Sequence, residues 1–322
     1  MKMTVYAVQP EERPFFEQYS REYGMELVLT EEKPSLKNLE LLRGADAVNV
    51  VSDVVLTEEF WNSYQALGIQ AAVTRTIGVE HMNREYAQKL GIPVFSITYS
   101  PNSVADYAIM MMLMVLRNVK PMLKRYEAQD YTASGLMGRE LPNLTVGILG
   151  AGKIGIATAR HLSGFGCRVL YWSRREKSEL RGIADYVSQE ELLARSDILS
   201  LHLVSNEETF HFLDSCRIGA MKNGAVLINT ARGPLVDNGA LIQALQNGHL
   251  GGAGLDVFDG DRSIYYRDFK NSPVPSRDMA VLQAMPNVLM LPHMAYFTDQ
   301  AVADMVRNSM SMVHAYFTNS QL

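Results

Sequence analysis

Val146-Gly147-Ile148-Leu149-Gly150-Ala151-Gly152-Lys153-Ile154-Gly155 is the stretch that decides the fold. An apolar strand runs straight into G-x-G-x-x-G and then into a helix. Gly150 permits the tight turn, Gly152 lets the backbone approach a pyrophosphate, and Gly155 lets helix and strand pack closely, so that phosphates can sit on unpaired N–H groups at the helix N-terminus. The glycines lie within a full βαβ unit: a strand from Leu144 to Leu149, a helix from about Lys153 to Phe165 and a second strand from Cys167 to Trp172. That context turns a weak motif into a dinucleotide fingerprint.

The second strand ends Tyr171-Trp172-Ser173-Arg174-Arg175. An acid usually stands there to bond the ribose 2′-OH of NAD. Here Ser173 takes its place and two guanidinium groups follow. A carboxylate repels a 2′-phosphate, whereas the planar fork of Arg binds one. The turn therefore leans toward NADP(H), with NAD(H) possible.

Working outward, short apolar runs alternate with helical patterns, the signature of parallel sheets covered by helices. A first series has strands near Thr4–Val8, Glu26–Leu29, Ala45–Val51, Gln70–Val73 and Pro93–Phe95. A second begins at Leu144 and continues through Cys167–Trp172, Asp197–Val204, Ala225–Asn229, Gly252–Val257 and Val288–Leu291. Between them one long apolar helix is expected from Ser103 to Ala128, carrying Met110, Met111, Met112 and Met114, a stripe of the kind found in cores and subunit interfaces. A last helix, Thr298 to Phe317, is expected to return to the first series. The expected fold is α/β with two doubly wound parallel-sheet domains. A discontinuous flavodoxin-like substrate domain covers 1–101 and 297–322, and a Rossmann dinucleotide-binding domain covers 102–296.

The 322 residues suffice for two domains, and 47% hydrophobic with 20% charged residues is ordinary for a soluble protein. A net charge of −5 gives no reason to expect nucleic acid or an anionic membrane. The two cysteines, Cys167 and Cys216, give no disulfide framework, and no Cys/His spacing points to a metal. Met1–Val8 reads as a first strand rather than a signal peptide, and the apolar run Ala108–Leu116 is too short to span a bilayer, so a cytoplasmic protein is expected.

Ligands of open parallel sheets bind outside the carboxyl ends of the strands. That rule selects Thr230-Ala231-Arg232, Phe258-Asp259-Gly260-Asp261 and Pro292-His293. Arg232 can clamp a substrate carboxylate and polarise the adjoining carbonyl. His293 can protonate the carbonyl oxygen as hydride arrives at carbon. A carboxylate beside the imidazole raises its pKa and orients it. Together these groups suit hydride transfer to a 2-keto acid.

Five segments carry a family resemblance: Tyr99-Ser100-Pro101-Asn102-Ser103-Val104-Ala105-Asp106-Tyr107, Gly147 to Gly155, Asn229 to Asp237, Gly254-Leu255-Asp256-Val257-Phe258, and Pro286-Asn287-Val288 through Pro292-His293. Over essentially its whole length the chain resembles the D-isomer-specific 2-hydroxyacid dehydrogenases. The segment after Asp261 and the tail Ala295-Tyr296-Phe297-Thr298 resemble the D-lactate dehydrogenase branch, and Ser173-Arg174 with Arg117–Lys120 resemble its vancomycin-resistance type. The resemblance implies that backbone groups of Ile77 and Gly78 hold the substrate carboxylate, with Tyr99 and Tyr296 lining the pocket. For the cofactor it implies Lys153, Ile154, Ser173, Leu203, Val204, Thr209, Thr230, Ala231 and Asp256. It puts Val51 where lactate-specific relatives carry a bulky aromatic, leaving room for larger keto acids.

There are three departures from the family pattern. Asp261 replaces a longer Glu, Leu203-Val204 replaces Val-Pro, and Ser173 replaces Asp. Family members with the Met-rich helix form two-fold dimers, so a homodimer is expected. The expected activity is NAD(P)H-dependent reduction of a small 2-keto acid to the D-2-hydroxy acid. The alternatives are a hydroxypyruvate or glyoxylate reductase, and a non-catalytic dinucleotide sensor resembling the C-terminal-binding corepressors.

Overall fold

The computed structural model describes residues 1–52 and 54–319, which form two compact units: 1–52 and 54–100 with 297–319, and Pro101–Tyr296. The first unit holds a sheet of β1 (Lys2–Val5), β2 (Glu26–Leu29), β3 (Ala47–Val50), β4 (Ala71–Thr74) and β5 (Val94–Ser96), in the order β2-β1-β3-β4-β5. All its pairings are parallel. Every residue of β3 and β4 is buried, because helices cover both faces; hence these strands read as unbroken apolar runs. The order reverses at β1/β3, as in flavodoxin-like sheets. The C-terminal helix Asp299–Asn319 packs on the helix Arg13–Tyr23 and on β4 and β5. Its Ser309 hydroxyl accepts a 3.0 Å hydrogen bond from Asn49 Nδ2.

The second unit holds β6 (Thr145–Leu149), β7 (Arg168–Trp172), β8 (Asp185–Tyr186), β9 (Ile198–Leu201), β10 (Ala225–Asn229), β11 (Leu250–Leu255) and β12 (Val288–Met290). Their order is β12-β11-β10-β9-β6-β7-β8, all parallel, with the reversal between β6 and β9. This is the Rossmann winding, and the fingerprint turn leaves β6 at the switch point. One strand, β8, is absent from the sequence reading. Its two residues are exposed and carry no apolar run.

The long apolar helix is corrected. The chain forms one helix over Asn102–Leu116 and a second over Val119–Glu127, broken at Asn118, whose φ is 52°. Pro121 explains the break. In a continuous helix it would remove a backbone bond and clash with the preceding turn, whereas restarting at Val119 places it in the first turn. Lys120 then reaches the carbonyls of Gln283, Met285 and Val288 at 2.6–2.7 Å. The first helix lies on β10, β11 and β12. Gly254 makes that approach possible: a Cβ there would sit 2.8 Å from Ile228 Cδ1 and 3.3 Å from Met111 Cε. Met111 and Met112 are buried, whereas Met110 is exposed, so the stripe divides between core and surface.

Candidate active site

The turn after β6 is built for close approach. Gly150 has φ 103°, and a Cβ on it would strike the His202 carbonyl at 2.7 Å. A Cβ on Gly155 would fall 2.1 Å from Gly150 O, while Gly152 faces open space. The helix Lys153–Ser163 has no side-chain cap at its start, so its first N–H groups, at Lys153 and Ile154, are left for a ligand. Across the switch point, the Thr230 hydroxyl at the end of β10 is buried without a hydrogen-bond partner. A glycine cradle, an uncapped helix start and an orphaned hydroxyl all fit a dinucleotide.

At the end of β7, Ser173 is buried and its hydroxyl donates to Arg175 O, leaving its lone pairs to accept; Tyr186 Oη donates to Ser173 O at 3.0 Å. Arg174 and Arg175 are exposed, and among the described residues neither guanidinium is in a hydrogen bond or ion pair. After β9, Leu203 is half-buried and Val204 exposed; Thr209 caps the turn that follows by accepting from Asn206 N–H at 2.9 Å. These three border the same sheet edge with their backbone already turned by local bonds.

The ends of β10, β11 and β12 bring the reactive groups to that edge. Asn229 fixes the Arg232 loop from both sides, accepting from Ala231 N–H at 3.0 Å and donating to Arg232 O at 2.9 Å. Arg232 Nη1 also donates to Ala231 O at 2.8 Å. Asp256 is fully buried, and its carboxylate accepts the Met294 and Ala295 N–H groups, each at 3.0 Å, while its carbonyl accepts His293 N–H at 2.9 Å. The Tyr107 hydroxyl bonds the same carboxylate. Asp256 thus pins the His293 loop, a use the resemblance, which placed it among cofactor contacts, does not indicate. His293 itself is held at φ 57°, with Tyr266 and Tyr296 rings at 5.8 and 6.3 Å and Tyr266 Oη donating to its carbonyl at 3.0 Å.

Asp261 behaves differently from Asp256. Burial pushes its carboxyl up to about 6, against the pull of the Phe258 N–H bond and of the Arg262 and Arg232 charges. Its carboxylate accepts from Phe258 N–H at 3.3 Å, and among the described residues it forms no ion pair with His293. The shorter side chain folds back onto its own loop.

In the first unit, the loop after β4 carries Ile77, which is exposed, and Gly78, whose carbonyl accepts Thr76 Oγ1 at 2.6 Å. Thr74 hydroxyl lies 2.8 Å from that of Thr76 and 3.0 Å from buried His81 Nε2, which stiffens the loop. Val51, just past β3, and Tyr99 are half-buried. Sequence reading missed Arg75, Tyr107 and His211. Glu12, which binds Arg75, and Asp259, which binds His211, lie 63 and 48 residues away from them, beyond any local pattern.

Comparison with known proteins agrees with this architecture. Residues 109–295 match the model of the D-isomer specific 2-hydroxyacid dehydrogenase, NAD binding domain. The chain is 38% identical to a D-specific alpha-keto acid dehydrogenase of Enterococcus faecium, over 95% of this chain and 94% of that protein. It is 32% identical to an aromatic 2-oxoacid reductase of Clostridium sporogenes, over 95% and 93%. The crystal structure of a D-lactate dehydrogenase from Treponema pallidum superposes with a TM-score of 0.91 at 30% identity, covering 99% of this chain and 97% of that one. No helix among the described residues is long and apolar enough to cross a membrane, and no group of acids, histidines and cysteines there could hold a metal ion. The chain belongs to the D-isomer-specific 2-hydroxyacid dehydrogenase family, oxidoreductases that carry an NAD-binding domain.

Proposed function

We propose that this dehydrogenase reduces 2-keto acids bulkier than pyruvate, branched or aromatic ones included, to D-2-hydroxy acids, with NADPH favoured over NADH. The observation that carries the cofactor preference is the end of β7: no acid at Ser173, and two exposed guanidiniums without partners. A nicotinamide dinucleotide, held at the Gly150–Gly155 turn, would supply the hydride. Arg232 holds the substrate carboxylate with two parallel donors and polarises the carbonyl. His293, fixed by the Asp256 clamp, gives its proton to the carbonyl oxygen as the alkoxide forms. Asp261, when ionised, favours the protonated imidazole through space. Ile77, Gly78, Tyr99 and Tyr296 are assigned to substrate on the family resemblance, and Val51 to the room left for a larger side chain. The aromatic 2-oxoacid reductase among the relatives supports this breadth.

We also propose a homodimer through the helix Asn102–Leu116, whose exposed Met110 borders an apolar hollow of about 560 Å³ shared with Leu113, Met114 and Phe165. A monomeric mass by light scattering at micromolar concentration would refute the dimer. The activity is tested by steady-state reduction of a keto-acid panel with chiral analysis of the product. A D-product from branched and aromatic acids, at kcat/KM within about tenfold of pyruvate, is expected; one buried methylene is worth ~0.8 kcal/mol, so a modest pocket difference moves the ratio no further. Turnover no faster than background would leave a dinucleotide sensor instead.

A further inference from the structure

His211 sits in the loop after β9, outside every role assigned above. Its Nε2 lies 2.9 Å from Asp259 Oδ2, and its Nδ1 lies 3.8 Å from Asp237 Oδ2. The backbone N–H of His211 donates to Pro234 O at 2.8 Å. One residue thereby reaches two neighbouring loops: Asp237, facing the ring, and Pro234, bonded by the backbone, belong to the loop after β10, which carries Arg232, and Asp259 to the loop after β11, which carries Asp261. These two loops also meet backbone to backbone, since a Cβ on Gly233 would fall 2.1 Å from Phe258 O. Asn238, beside Asp237, donates to Asp259 O at 2.9 Å and to Asp278 Oδ2 at 3.2 Å.

The backbone of His211 has φ 46°, a region non-glycine residues enter at a cost and keep when their surroundings fix them. Side-chain exposures of 31% for His211, 34% for Asp259 and 40% for Asp237 mean that the pairs themselves add little to global stability. An arrangement that is strained, bridges two carboxylates and stabilises little calls for another account.

We infer that His211 is a positioning residue: it clamps the loop after β11 to the loop after β10, and so sets where Arg232 and Asp261 stand. This rests on the roles proposed for those two residues. The ring is within hydrogen-bond distance of Asp259 alone, and Asp237 faces its other nitrogen at ion-pair distance.

His211→Ala should lower keto-acid kcat/KM about tenfold, because small displacements of substrate-holding groups are costly in rate. Dinucleotide affinity, read by fluorescence titration, and thermal midpoint should stay near wild type. His211→Gln, which restores an N–H donor, should recover most of the loss. Adding Asp259→Ala to His211→Ala should cost nothing more, because both changes break one contact. Hydrogen exchange supplies an arm independent of turnover: residues 230–237 and 256–263 should exchange faster in His211→Ala than in wild type. Unchanged exchange in those loops overturns the clamp whatever the activity. Keto-acid kcat/KM within twofold of wild type, or a loss matched by an equal loss of dinucleotide affinity, overturns the positioning role. Wild-type protein that fails to reduce any keto acid rejects the proposed reaction, while exchange still decides the clamp.

Discussion

Arg75 and the pair Arg174–Arg175 all follow the carboxyl end of a parallel strand, yet they are opposite in kind. Arg75, past β4, is completely buried; it donates to Glu12 Oε1 and Asn49 Oδ1 at 2.8 Å each and to the carbonyls of Tyr6 and Ala7 at 3.0 and 3.2 Å. Arg174 and Arg175, past β7, are exposed, and among the described residues their guanidinium groups have no partner. A buried guanidinium must have its charge and donors met from within the fold. An exposed one leaves them for a ligand. Position at a strand end therefore does not by itself mark a ligand group. What separates scaffold from site is whether the protein has already consumed the donors.

That contrast is most sharply broken at Arg75. Arg75→Met strands the Glu12 carboxylate in the interior and should cost about 3–5 kcal/mol in chemical denaturation, whereas replacing both partners with apolar residues should restore most of it. A stable double variant that has lost turnover would show that Arg75 serves the ligand after all. Arg232, whose Nη1 donates to Ala231 O, is tested in the same way. Arg232→Gln should lower kcat/KM about 10²–10³-fold with little change in denaturation midpoint, the scale of losing one preorganised charged donor. A comparable loss of stability would move Arg232 to the scaffold side.

Smaller effects are expected at Ser173 and Asp261. Ser173→Asp with Arg174→Ala should turn a preference for NADPH into one for NADH, a swing of at least about tenfold, or ~1.4 kcal/mol. Asp261→Asn has two signatures. The folded-state carboxyl titrates near 6, above its ordinary value, so the native state holds its proton more tightly and stability contributed by that proton is lost as pH rises from about 4 through 6. The variant should thus gain up to roughly 1 kcal/mol over wild type at pH 7–8 and nothing at pH 4, after discounting for partial exposure. In kinetics, removing a negative charge lowers the imidazole pKa, so the alkaline limb of keto-acid reduction should move to lower pH. An unmoved limb would make Asp261 a loop acid with no influence on His293.

The legible parts of the chain were those with local signals. Gly150, Gly152 and Gly155 announce a turn that the observed 2.1 and 2.7 Å approaches require, and the apolar runs locate both sheets. Pro121 was a legible signal as well, and the helix it interrupts shows that an apolar stripe outweighs a single breaker only until the backbone bond must be made. What sequence could not show is which polar residues find one another across loops. Asp256 stands 38 residues from Met294, whose N–H it binds, and nothing in its own segment distinguishes a clamp from a cofactor ligand.

The distinction between consumed and available donors is tested most directly by comparing kcat/KM for NADPH and NADH in wild-type protein, at one ionic strength and with one saturating 2-keto acid. The unpartnered guanidiniums at Arg174 and Arg175 and the missing acid at Ser173 predict NADPH ahead by roughly tenfold or more, narrowing as salt screens the exposed charges. A higher kcat/KM for NADH at low salt would contradict it.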